Sequence, residues 1–248
     1  MMLLEGDVVV LAGATGRVGG ATLATIVRHG AQVVVLSRSA ERAQAAIDEV
    51  LDDAEGVAAI PFAADLNDPA QAVAAIAACV ERFGRIDACV SLAGDSTVAP
   101  LVETTIDDLR ANMRGFVETA YNLALPALRA MLAQPYRDGA RSRGRIVVVT
   151  AGSSKQPAPG RGLFGAAKAA VNVLMQAIAR EHKADGIVAN ALVLGGVATS
   201  AARGYLNAED LAAAATPQEV ADALAFLASD RGSGINGALV DLNAREVD

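Results

Sequence analysis

Seven short apolar runs, at 8–12, 31–36, 57–62, 86–92, 145–150, 187–194 and 238–242, are separated by longer stretches in which apolar positions return every three or four residues. Short continuous runs bounded by turns predict strands buried on both faces, and the longer periodic stretches predict helices at 17–29, 40–53, 68–83, 105–133, 162–184 and 216–229. Asp68 before Pro69 and Thr216 before Pro217 match a helix start, where a short polar side chain caps and the first turn tolerates proline. Strands alternating with helices predict an α/β fold: a Rossmann-type, doubly wound parallel sheet of about seven strands with helices on both faces. No repeat or low-complexity linker interrupts the pattern, so residues 1–248 form one domain, and 53% hydrophobic content is ample for its core.

Charge narrows the partners. A formal charge of −7 and a pI near 4.9 give a surface that attracts neither nucleic acid nor anionic membrane, which leaves a small-molecule substrate as the expected partner. No apolar run reaches the roughly 18 residues that span a bilayer, and no basic-then-apolar leader opens the chain. Cys79 and Cys89 are too few for a disulfide framework and read as buried thiols, which fits a reducing cytoplasm.

The first predicted strand runs into Gly13-Ala-Thr15-Gly16-Arg17-Val18-Gly19-Gly20 at the start of the first helix. Glycines let the backbone approach a pyrophosphate, and a helix N-terminus directs amide hydrogens and a positive dipole end at it. Strand, turn, helix and strand in this order predict a dinucleotide site, against the alternative of a phosphate loop that has lost its ligand. At the end of the second strand, Ser37 and Arg38 stand where a carboxylate would bind ribose hydroxyls. With no carboxylate there, and with Arg38 and Arg17 nearby, NADP(H) is preferred over NAD(H); a solvated charge at a helix entry is the other description of Arg38.

The segment Gly162-Leu-Phe164-Gly-Ala-Ala-Lys168-Ala-Ala-Val-Asn172 resembles the short-chain dehydrogenase/reductase family, whose central motif is Tyr-x-x-x-Lys followed by an Ala-rich helix. Residues four apart share a helix face, so the motif holds a phenol beside an ammonium group, which favours the phenolate. Here Phe164 occupies the Tyr position, and thirteen residues earlier Ala151 occupies the position of the family's catalytic Ser.

The resemblance extends along nearly the whole chain. It implies that Asp65, followed by Leu66, contacts adenine, and that Ala93 and Gly94 lie under the cofactor. Asn112 is then the residue that holds a water in the proton relay, Val197 and Thr199 hold the nicotinamide carboxamide, and Lys168 binds the ribose. Ser91-Leu92 replaces the family's Asn-Asn, Leu194 replaces its Pro, and its closing Gly-Gly is missing after Asp241. The spacing of Gly13, Gly16 and Gly19 resembles the extended and atypical branches rather than Gly-x-x-x-Gly-x-Gly.

What the resemblance implies is an NADP(H)-dependent oxidoreductase, interconverting carbonyl and alcohol, whose Ser-Tyr-Lys set is degenerate. Two other readings stand beside it: a redox-silent enzyme performing cyclisation, elimination or isomerisation, and a non-catalytic nucleotide-binding subunit. Substitute hydroxyls are sought at Tyr205, in the segment that covers substrate, and at Ser153 and Ser154; Tyr121 and Tyr136 are less well placed. His29 and His182 fall near helix ends, where dipole or solvent roles are expected. The Ala-rich helices 105–133 and 162–184 match the family's four-helix interface and predict a homo-oligomer, dimer or tetramer.

Overall fold

Alternate residues of each strand enter two different cores, as a sheet covered on both faces requires. Val8, Val10, Ala12, Val34, Leu36, Cys89, Ile146 and Val148 pack on one face, and Val9, Leu11, Val33, Val35, Ala88, Val90 and Val147 on the other. The computed structural model describes residues 2–51, 59–95, 97–199, 211 and 214–242. Its strands are β1 (Val8–Ala12), β2 (Gln32–Ser37), β3 (Ala59–Ala63), β4 (Ala88–Ser91), β5 (Gly144–Ala151), β6 (Ile187–Leu194) and β7 (Leu239–Leu242). All run parallel in the order β3-β2-β1-β4-β5-β6-β7, so the winding reverses between β1 and β4 and leaves a crevice at their carboxyl ends.

Helices α1 (Arg17–Arg28), α2 (Ala40–Leu51) and α7 (Pro217–Ala228) cover the face of Val9. The face of Val10 is covered by α3 (Pro69–Phe83), α5 (Thr119–Ala133) and α6 (Gly162–Glu181). Both proline starts behave as their chemistry dictates. Asp68 accepts from the Ala70 amide, and Thr216 forms a reciprocal capping box with Glu219, each cap contributing about 1 kcal/mol.

The stretch 105–133 is not one helix. It divides into α4 (Ile106–Asn112), a π-helical turn at Met113–Glu118, and α5. A Cβ at Gly115 would collide with the Asp95 carbonyl, so the wider turn lies against the β4 exit at a glycine, where no side chain intervenes.

Helix α6 is long and apolar enough to cross a membrane by length and composition alone. Lys168 and Arg180 break its apolar run in sequence, and Ala167, Val171, Met175 and Ile178 bury one face of it against the sheet, as a core helix does.

At the amino end of the sheet, Arg145 bonds the Asp7 carboxylate at 2.9 Å and the Asp87 carbonyl at 3.1 Å, and Arg137 also pairs with Asp7. This buried charge network lies at the opposite end of the strands from the crevice.

Candidate active site

Three glycines shape the turn after β1, each for a different reason. Gly13 has φ +90°, and a Cβ there would come within 2.9 Å of the Ala93 amide nitrogen, so only glycine lets the two strand exits touch. A Cβ at Gly19 would collide with the Gly13 carbonyl, which fixes how closely α1 packs on the turn. Gly16 instead borders open space, with nothing within 4 Å of a Cβ position.

Gly16 is also the N-cap of α1 and carries no side-chain cap, while the first turn holds no acidic residue and begins with the exposed Arg17. The helix start therefore offers uncapped amides, a positive dipole end and a cation to an anion.

Beside this turn lies a cleft of about 340 Å³. Gly13, Thr15 and Gly16 line it from β1, Ser37 and Arg38 from β2, Asp65, Leu66 and Asn67 from β3, and Ala93, Gly94 and Asp95 from β4. Gly115 and Thr119 close it from the α4–α5 side. Asp65 is held in place by accepting from the Asn67 amide and side chain at 3.0 and 3.1 Å, and its own amide donates to Gln71. Nine of the residues expected at a nucleotide thus face one cavity. Arg17, Val18, Gly19, Val197, Thr199 and Lys168 do not line it: Gly19 is buried beneath the turn, and Val197 bridges to Ala215 beyond β6.

Lys168 lies behind this cleft and is only 7% exposed. Its Nζ donates to the Val149 carbonyl of β5 at 2.9 Å and stands 4.1 Å from the centre of the Phe116 ring. Phe116 meets Phe164 edge to face, with centroids 5.3 Å apart, and the Phe164 ring centre is 6.0 Å from Nζ. With burial uncompensated by any carboxylate among the described residues, the Lys168 amine is pulled down from 10.5 to about 7. Two aromatic faces and one carbonyl therefore surround a group poised between its charged and neutral forms.

Asn112 is fully buried at the end of α4, where its amide donates to the Asp108 carbonyl at 3.0 Å and the Thr97 carbonyl at 3.3 Å. Ala151 ends β5 and brings no hydroxyl. The Ser153 carbonyl packs against Gly165, and Ser154 Oγ accepts from Asn172 at 2.8 Å, one helical turn beyond Lys168. Tyr205 lies outside the described residues. Tyr136 stacks on Arg143 beside Gly186, at the amino end of the sheet, and Tyr121 is exposed on α5.

His182 caps α6 and pairs with Asp185 at 3.0 Å; His29 caps α1 and accepts weakly from the Leu3 amide. Burial pushes the Cys79 and Cys89 thiols up to about 12, which leaves both inert.

Sequence reasoning missed Phe116, Asn67 and Thr119. Phe116 follows Asn112 by one helical turn, and that spacing was a usable signal.

The family model described as short chain dehydrogenase matches residues 7–210. An A-factor type gamma-butyrolactone 1'-reductase (1S-forming) of Streptomyces virginiae is 31% identical over 252 residues, covering 95% of this chain and 93% of the relative. An L-rhamnose 1-dehydrogenase (NAD(P)(+)) of a Sphingomonas species is 30% identical, covering 97% of each. The crystal structure of a short chain dehydrogenase from Mycobacterium smegmatis superposes with a TM-score of 0.84 at 26% identity, over 100% of this chain and 96% of that one.

Proposed function

Because the chain belongs to the short-chain dehydrogenase family, a family of NAD(P)(H)-linked oxidoreductases, we propose that it interconverts a carbonyl and an alcohol on a small molecule with NADP(H). The observation that carries this reading is the cleft at the β1–β4 switch, where the Gly13–Gly16 turn, Arg38 and Asp65 line one cavity beside an uncapped helix start. The open space at Gly16 is a cradle that a side chain would fill, and it fits a pyrophosphate.

Each residue then has a task. The α1 amides and Arg17 hold phosphate charge, and Arg38, with Ser37 beside it, takes a ribose 2′-phosphate that a carboxylate would repel. Asp65 and Leu66 border adenine, Ala93 and Gly94 lie beneath the sugar, and Val197 and Thr199 orient the carboxamide. Bound here, NADPH would supply the hydride. Lys168 and Asn112 form the remaining polar part of the reaction centre, with Phe164 and Ala151 at the positions where the family resemblance puts Tyr and Ser.

Absence of those two hydroxyls favours a second reading, a redox-silent enzyme or nucleotide-binding subunit that uses the same cleft. The two are separated by following NADPH absorbance with the purified protein and a panel of ketones, aldehydes and dicarbonyls. Carbonyl-dependent loss of NADPH supports the reductase; nucleotide binding with no loss across the panel supports the second reading. Assembly as a homodimer or homotetramer through α5 and α6 belongs to the same proposal, supported by the exposed Tyr121 and Val173 on those helices.

A further inference from the structure

The walls of the cleft are one-sided. Its described lining residues come from the exits of β1, β2, β3 and β4, from the π turn and from the start of α5, while β5, β6 and α6 supply none of them. At about 340 Å³ the cleft stands near the lower bound of small-molecule sites, which run from about 300 to 1,000 Å³.

An aromatic ring lies where the wall ends. Gly94 lines the cleft, and a Cβ at Gly94 would overlap carbons of the Phe116 ring, so the ring rests directly on the Gly94 backbone. The same ring meets Lys168 Nζ, 4.1 Å from its centre, and the edge-to-face contact with Phe164 extends the apolar surface by a second ring. A sugar seated on Gly94 therefore has the Phe116 ring, rather than the Lys168 ammonium, as its neighbour.

The ring is also fixed in place. Phe116 is 6% exposed and belongs to the core of the Val10 face, with Ala93, Met113 and Phe164 packed against it. Its backbone is the π turn, which Gly115 seats against the Asp95 carbonyl. Two cations flank the Phe164 ring, the Arg161 guanidinium 5.8 Å and Lys168 Nζ 6.0 Å from its centre, and each adds electrostatic attraction to the packing.

We propose that this protein holds its nucleotide by the adenosine end, and that Phe116 is the plug that keeps the nicotinamide ribose from Lys168. The inference rests on the proposed nucleotide reading of the cleft and is independent of turnover. Arg38 and Asp65 take the adenosine end and the uncapped α1 start takes the phosphates, so these groups carry the affinity. The ligand class is then any nucleotide with an adenosine 2′-phosphate, and adenosine 2′,5′-bisphosphate binds about as well as the whole dinucleotide.

The test is calorimetric titration of the full-length protein with NADPH and with adenosine 2′,5′-bisphosphate. NADPH is expected to bind no more than about threefold more tightly than the bisphosphate, because a ribose without a charged partner adds little. Phe116→Val removes the ring and opens Gly94 to Lys168. It is expected to strengthen NADPH binding about tenfold, the order of one hydrogen bond to a charged group, with bisphosphate affinity held within about threefold. Adding Lys168→Met to Phe116→Val should cancel that gain, since the cycle isolates the contact between the ribose and the ammonium.

A parent protein that binds NADPH more than about threefold more tightly than the bisphosphate overturns the inference and leaves the nucleotide site standing, whether or not Phe116→Val folds. So does a loss of about tenfold in NADPH affinity on Lys168→Met alone, which would show that the ammonium already reaches the ribose. A folded Phe116→Val that gains nothing, or gains equally for both ligands, overturns Phe116 as the plug. Binding of neither ligand to the parent overturns the nucleotide reading itself, and the inference with it.

Discussion

Arg145 and Lys168 are buried cations at the two ends of β5, and the sheet treats them differently. Arg145, 3% exposed, has the Asp7 carboxylate at 2.9 Å, the Asp87 carbonyl at 3.1 Å and the Asp230 carboxylate at 3.7 Å. Lys168, 7% exposed, has one carbonyl and the face of a ring. At the amino end opposite charges offset desolvation, although burial still holds the Asp7 carboxyl above its usual range against the pull of Arg145. At the carboxyl end no carboxylate among the described residues offsets it, and the amine's proton becomes easier to lose. One end of β5 therefore carries a cation that fastens the fold, and the other meets, from α6, one whose charge the fold destabilises and which lies behind the cleft.

Breaking the paired cation has the largest expected effect. Arg145→Met leaves Asp7 buried without its closest partner, and loss of one member of such a pair costs about 3–5 kcal/mol. Denaturant unfolding should show a loss of that size, and a loss below 1 kcal/mol would mean that Arg137 alone neutralises Asp7.

Lys168→Met should move stability the other way. The folded-state amine sits near 7 and the unfolded-state amine near 10.5, so between these values the unfolded chain holds the extra proton. Parent stability therefore rises with pH across that window, and the charged amine weighs on the fold below it. The variant is expected to be more stable than the parent by a few kcal/mol at pH 6, on the order set by a shift of this size, with the difference vanishing towards pH 10.5. A pH-independent difference between the two proteins would remove burial as its cause.

How much of this contrast was legible in the sequence depends on the range of the interactions involved. Gly13 and Gly16 are legible because a strand, a tight turn and a helix are local, and Arg38 because it follows β2 directly. Lys168 is legible as a helix residue, but its partner is not: the Val149 carbonyl is 19 residues away on another element. The division of 105–133 was hidden for the same reason, since the clash that makes Gly115 necessary is with Asp95, twenty positions earlier.

Ser91 and Thr150 carried a signal that went unused. They are polar residues at inward positions of otherwise apolar strands, where a period of two marks them as buried. Arg17, Val18 and Gly19 belong to the glycine turn read from the strand–turn–helix pattern, Val197 and Thr199 follow from family resemblance, and none of the five lines the cleft.

The central claim is that the cleft end of the sheet holds a phosphorylated dinucleotide. Calorimetric titration of the protein and of Arg38→Ser with NADPH, NADP⁺, NADH and NAD⁺ tests it most directly. The account predicts that NADPH binds the parent at least tenfold more tightly than NADH, and that Arg38→Ser removes the preference by weakening NADPH alone. Equal affinity for NADPH and NADH in the parent, or no binding of any of the four, would contradict it.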